Sequence, residues 1–196
     1  MKKVIGIAGA VVLILGIVIV VRTLLAGRSS VEATPVEIGL DEYALAERLS
    51  EAIRFETISP NPPASIDPEP FRRYIEWLEA AYPLVHERLS LERIADLSLL
   101  YTWRGSDAEA APILITAHYD VVPVNPESVP DWTHPPFAGE VADGYVWGRG
   151  ALDDKGAMIA ILEAATLLLE EGFTPGPTVY LAFGHDEEIG LSLIHI

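Results

Sequence analysis

Apolar residues and glycine run unbroken from Val4 to Val21, with Lys2 and Lys3 before them and Arg22 after. A run of that length nearly spans a bilayer core, which takes about 20 residues in a helix. It is longer than the apolar stretch of a cleavable signal, and no A-x-A site follows Val21. Residues 1–25 are therefore expected to form an uncleaved N-terminal membrane anchor, with a cleaved signal as the alternative. The basic flanks and terminal position argue against a buried soluble helix. Residues 26–39 read as a polar linker.

From residue 40 the pattern changes. Leu45, Leu49, Ala52 and Ile53 recur at a helical period within Asp41–Phe55, and so do Phe71, Tyr74, Ile75, Leu78 and Tyr82 up to Pro83. Ser59–Pro70 holds five prolines and predicts a loop. "LSLLYTW" (97–103) and "APILITA" (111–117) read as strands joined by a turn. Val121–Asp143, again with five prolines, reads as a long loop, and "GYVWG" (144–148) as a short strand. Gly156–Glu171 predicts a helix with Met158, Ile161, Leu162, Ala165 and Leu168 inward, followed by a strand at "TVYLAFG" (178–184). Strands alternating with helices imply an α/β sheet.

Charge sharpens this division. Every acidic residue lies beyond Val31, where nine Lys or Arg face 29 Asp or Glu, a formal charge of −20. Such a surface disfavours nucleic acid or an anionic membrane face as a partner. With no cysteine, disulfides, thiolate zinc sites and cysteine nucleophiles are excluded, so any metal site must use His, Asp and Glu.

Three polar clusters stand at strand ends or in adjacent loops, where open α/β sheets place ligands. His118-Tyr119-Asp120 offers an imidazole and, two residues on, a carboxylate able to fix its tautomer. "GRGALDDKG" (148–156) sets Asp153 beside Asp154 among glycines; helix capping explains one aspartate, and a cation would account for the other. "GHDEE" (184–188) pairs Glu187 with Glu188, which repel unless a cation or shared proton compensates. One glutamate can then bind metal while the other serves as a base. His185 and Asp186 read as supporting residues. His86 and His134 read as packing or surface histidines, Trp77 and Trp103 as core, and Trp132 and Trp147 as flanking the site loops. The ligand types suit a hydrolytic zinc pair, or cobalt or manganese in its place.

"AHYDVVPV", "WTHPPFAGEVADGYVWGRGALDDKG" and "GHDEEIG", in this order and spacing, resemble the co-catalytic di-zinc family of carboxypeptidase S, Gly-Xaa carboxypeptidase, aminoacylase and acetylornithine deacetylase. The likeness runs from about Asp41 to Gly190 and is strongest to carboxypeptidase S and the secreted N-acyl amino acid hydrolases. It implies the N-terminal part of a di-zinc exopeptidase catalytic domain, a mixed sheet flanked by helices, over residues 40–190. It implies that His118 and Glu188 bind zinc, that Asp153 bridges two Zn2+ ions, that Asp120 orients His118, and that Glu187 is the general base. Asp154 is read as shaping the backbone. The implied reaction is amide hydrolysis of a small peptide or an N-acyl amino acid by a metal-bridging hydroxide. The catalytic part is expected to be exported beyond its membrane anchor, or secreted if the anchor is cleaved, and a homodimer in the full-length protein is compatible with the family.

The resemblance also implies a later acidic zinc ligand, a late zinc-binding histidine and an inserted lid domain, which do not occur in these 196 residues. The terminal "LSLIHI" (191–196) departs from the family pattern and reads as a non-native tail, so His195 is not a candidate ligand. The segment by itself is expected to be inactive. The competing reading is a membrane-tethered binding protein on a decayed hydrolase fold; intact His118, Asp153 and Glu187–Glu188 argue against it.

Overall fold

The computed structural model describes residues 2–25, 39–60 and 66–190. Most of the expected linker and the whole expected tail lie outside them. The chain divides into two units, residues 1–39 and 40–196. In the first, helix α1 runs Lys2–Leu25. Its side chains are described only at Gly9 and from Val12 onward. Among the described residues no helix is long and apolar enough to cross a membrane.

The second unit is a mixed α/β fold. It begins with α2 (Glu42–Ile53), whose first turn is capped by Asp41 accepting from the amides of Tyr43 and Ala44. Asp67 caps α3 (Pro68–Ala81) in the same way. The expected loop at Ser59–Pro70 therefore ends earlier than its prolines suggest. Pro68 and Pro70 sit in the first helical turn, where no amide hydrogen is needed. Pro83 ends α3 as expected and also starts a short helix, α4 (Pro83–Arg88), which the sequence pattern did not predict.

Strands β1 (Ser90–Ile94), β2 (Ser98–Trp103), β3 (Ile113–His118) and β6 (Val179–Gly184) form one sheet in the order β1-β2-β6-β3. Only β3 and β6 are parallel; the other pairs are antiparallel. β1 was not foreseen, because an edge strand that half-buries just Leu91 and Ile94 carries little apolar signal. A separate hairpin pairs β4 (Glu140–Ala142) with β5 (Tyr145–Trp147). The expected long loop thus contains a three-residue strand.

Helix α5 (Lys155–Glu170) connects β3 to β6. It buries Met158, Ile159, Leu162 and Ala165 against the core, with Ile161 and Leu168 packed at its margin. Aromatic rings fill the space between α3 and the strand ends: Tyr74 stacks on Tyr119 at 5.1 Å, and Phe71 meets Tyr119 edge-on at 5.7 Å. Trp103 is buried, whereas Trp77 is half-buried, stacked on Tyr74 with its indole N–H donated to Glu51. His86 bridges the Tyr82 carbonyl and the Tyr101 hydroxyl, a packing role.

β3 is one edge of the sheet among the described strands, and Leu114 is 60% exposed there, while Leu162 on the inner face of α5 is 0% exposed. Leu162→Ala is expected to cost about 2–5 kcal/mol in urea unfolding. Leu114→Ala is expected to stay within about 0.5 kcal/mol. Equal effects would contradict this placement of the core.

Candidate metal centre

The register of β3 and β6 creates the site. His118, the last residue of β3, lies opposite Gly184, the last of β6. Two motifs far apart in sequence therefore leave the sheet at the same level. Because α5 crosses back from the sheet's C-terminal edge, the loop before it, Gly148–Asp154, opens at that level too.

Alternation through His118-Tyr119-Asp120 sends Tyr119 into the aromatic core and turns the other two residues toward the site. The backbone here is held by Thr57–Ser59, which runs beside it. The Val121 amide donates to the Thr57 carbonyl at 2.9 Å, the Ser59 amide donates to the Val121 carbonyl at 3.0 Å, and the Thr57 hydroxyl donates to the Tyr119 carbonyl at 2.5 Å. That pairing was not predicted; the β-branched Thr57-Ile58 pair before Pro60 was its only sequence signal.

Asp120 is fully buried. Its Oδ1 lies 3.3 Å from His118 Nδ1 and accepts the Glu187 amide at 3.1 Å, while Oδ2 accepts the Glu188 amide at 3.1 Å. One carboxylate thus ties the end of β3 to the loop after β6. Burial alone would raise its pKa. Hydrogen bonds from His118, Ser59 and the Glu188 amide outweigh burial and hold it below the usual carboxylate value. Sequence reasoning assigned Asp120 to His118 and missed the two amides.

With Nδ1 turned to Asp120, Nε2 of His118 faces Asp153 Oδ1 at 3.1 Å and Glu187 Oε2 at 3.7 Å. Ligand atoms of His118, Asp153 and Glu188 all lie within 4.8 Å of one another. These three are the expected metal ligands. One imidazole nitrogen and two carboxylates, converging without a thiolate, suit zinc and related divalent ions. Their crowding disfavours full ionisation. Burial, and then the charge of Asp153, raise the Glu188 carboxyl, with Asp120 and Glu187 adding to the effect. A cavity of about 200 Å³ lined by Thr116, Ala117, His118, Asp154 and Glu187 opens beside the ligands.

Asp154 stands at the N-cap of α5 but makes no side-chain cap bond, so capping does not explain the paired aspartates. Its carboxylate instead approaches the His118 amide at 3.4 Å, and the Asp153–Asp154 peptide is cis. Gly150 (φ +84°) is needed beneath this loop, since a Cβ there would fall 2.7 Å from Val121 Cγ1. His185 and Asp186 stand behind the cluster. His185 Nδ1 lies 2.7 Å from the Ser98 hydroxyl, and its carbonyl accepts from Ser59. Trp132 and Trp147 do not line the cavity described above. Trp132 carries the Arg149 guanidinium over its ring, and Trp147 packs on His134, which pairs with Glu140 at 2.9 Å.

Residues 114–195 match the model of peptidase family M20/M25/M40. The chain is 47% identical over 154 residues to "Probable carboxypeptidase S-like 2" of Dictyostelium discoideum, covering 77% of this chain and 29% of the relative. The chain belongs to the M20 peptidase family. Another relative is the "N-fatty-acyl-amino acid synthase/hydrolase PM20D1" of Xenopus tropicalis, 40% identical over 74% of this chain and 28% of the relative. This M20 chain spans less than a third of the length of either. Its fold is similar to an M20 family metallo-carboxypeptidase from Sulfolobus solfataricus, with a TM-score of 0.60 at 26% identity over 79% of this chain and 33% of that one.

The electrostatics of this M20 site predict a pH dependence. Burial works against a charged His118, but its hydrogen bond to Asp120 and that residue's charge prevail, raising its pKa from 6.5 to about 9. In the metal-free chain the protonated imidazole stabilises the fold fully below 6.5, and this contribution is lost as pH rises through about 9. A metal must displace the Nε2 proton. Zinc isotherms should therefore tighten as pH rises from 6.5 toward about 9, by up to about tenfold per unit, and then level off. An affinity constant across that range would contradict the assignment. Asp120→Asn should cost about 1–3 kcal/mol in urea unfolding, because an amide cannot accept from all of these donors. An unchanged midpoint would refute its role as a tie.

Proposed function

We propose that this segment carries half of a hydrolytic metal centre that cleaves the amide bond of a small peptide or an N-acyl amino acid. The observation behind the reading is the convergence of His118, Asp153 and Glu188 within 4.8 Å, with the Glu187 carboxylate beside them. Two relatives, a probable carboxypeptidase S-like protein and an N-fatty-acyl-amino acid synthase/hydrolase, suggest the substrate classes.

In this reading His118, Asp153 and Glu188 would hold a zinc pair, with Asp153 serving both ions and cobalt or manganese as substitutes. A divalent pair in such a site supplies Lewis acidity at a carbonyl oxygen and lowers the pKa of a water toward neutrality. Asp120 keeps the proton of His118 on Nδ1, so that Nε2 offers its lone pair. Glu187 is half-exposed with Oε2 beside the ligands. It takes the water's proton and delivers it to the leaving amine. Because Asp120 holds the Glu187 and Glu188 amides together, base and ligand are positioned by one group. The apolar run Val4–Val21, preceded by Lys2 and Lys3, would serve as a signal or tether for an exported catalytic part.

Glu187→Gln in the full gene product should lower kcat at least about 100-fold on dipeptides and N-acyl amino acids while leaving bound metal unchanged. Full activity in that variant would refute the base assignment. Loss of metal along with activity would make Glu187 a ligand instead.

A further inference from the structure

Lys155, the first residue of α5, is completely buried. Lysine is rarely found in that state unless its charge is met. Its ammonium donates to the carbonyls of Ala52 at 2.9 Å and Phe55 at 2.6 Å, and it stands 5.1 Å from the centre of the Tyr74 ring. Two carbonyls and an aromatic face thus surround the three N–H donors. Ala52 lies in the last turn of α2 and Phe55 two residues past its end, where the helix dipole favours a cation.

The same residue closes the metal loop. Its amide donates to the Gly150 carbonyl at 3.0 Å, and its stem runs under Gly150, where an added Cβ would lie 3.5 Å from Lys155 Cδ. Asp153 is two residues away. The loop is therefore pinned to α2 by an ammonium and closed on itself by an amide of one residue. Further along, α2 and α5 are joined again by Arg48 and Glu163, at 2.5 and 2.6 Å. That pair lies eight residues down α5, about 12 Å from Lys155.

We infer that Lys155 is a positioning residue for the metal centre: its buried ammonium, anchored on the end of α2, sets the place of Asp153 opposite His118. The inference rests on the metal reading of His118, Asp153 and Glu188. It separates this lysine from a general packing role, because Arg48–Glu163 docks the same two helices without touching the loop.

The test compares Lys155→Met with Arg48→Met in the full chain. Zinc affinity is measured by competition with a chromophoric chelator, and amide hydrogen exchange is measured without metal. Lys155→Met should weaken zinc binding about 10- to 100-fold, the range seen when groups supporting metal ligands are removed. It should also speed exchange at the Ala151 and Lys155 amides. Arg48→Met should leave both unchanged. If Lys155→Met does not fold, Lys155→Gln, which keeps two donors but loses the charge, takes its place. Wild-type zinc affinity in the lysine variant, or equal losses in Arg48→Met, overturns the inference. If the unmodified chain binds no zinc, the metal reading has failed instead, and the exchange comparison alone decides whether Lys155 holds the loop.

Discussion

The arrangement depends on a single buried carboxylate. Asp120 has no exposure to solvent, yet it must be ionised to serve several donors at once, among them the His118 ring and the amides of Glu187 and Glu188. A buried charge is tolerated only when hydrogen bonds replace its hydration. Here they come from both sides of the β3–β6 junction. The requirement works in two directions. The fold keeps the carboxylate ionised, and the carboxylate keeps two otherwise independent loops in one geometry.

What surrounds that junction follows from strand direction. β3 and β6 are parallel and end flush, so the crossing helix α5 must begin at the same edge. The histidine, the aspartate loop and the glutamate pair then meet without any long side chain reaching across the molecule. Lys155 and the short Thr57–Ser59 strand-like segment fix this edge from the α2 side. Among the described residues, Asp153 and Glu187 find their ion-pair partner in His118. In the proposed metal centre, a divalent cation would offset the remaining negative charge of Asp153, Glu187 and Glu188.

Much of this was legible from residue pattern. The helical period of α2, α3 and α5 and the apolar runs of β2, β3 and β6 are strong because each element buries one face or both. The signal failed where elements are short or marginal. α4 has six residues and opens with Pro83; β1 lies at the edge; β4 has three residues inside a proline-rich stretch. Pro68 and Pro70 read as loop because the sequence does not say that they occupy a first turn. At the site, His118, Asp153 and Glu188 stood out as chemistry out of place beside apolar strands. Their convergence became visible only with the register that sets His118 against Gly184. The roles of the Asp120 oxygens and of Lys155 depend on contacts with residues 67 or more positions away. No local pattern encodes such contacts.

The most direct measurement is an anomalous-difference map at the zinc edge from crystals of the chain grown with zinc. The account predicts a peak within about 2.0–2.2 Å of His118 Nε2 and of carboxylate oxygens from Asp153 or Glu188, with Asp120 still bonded to the two glutamate amides. Zinc bound only elsewhere, or an empty cluster with those Asp120 bonds intact, would contradict it.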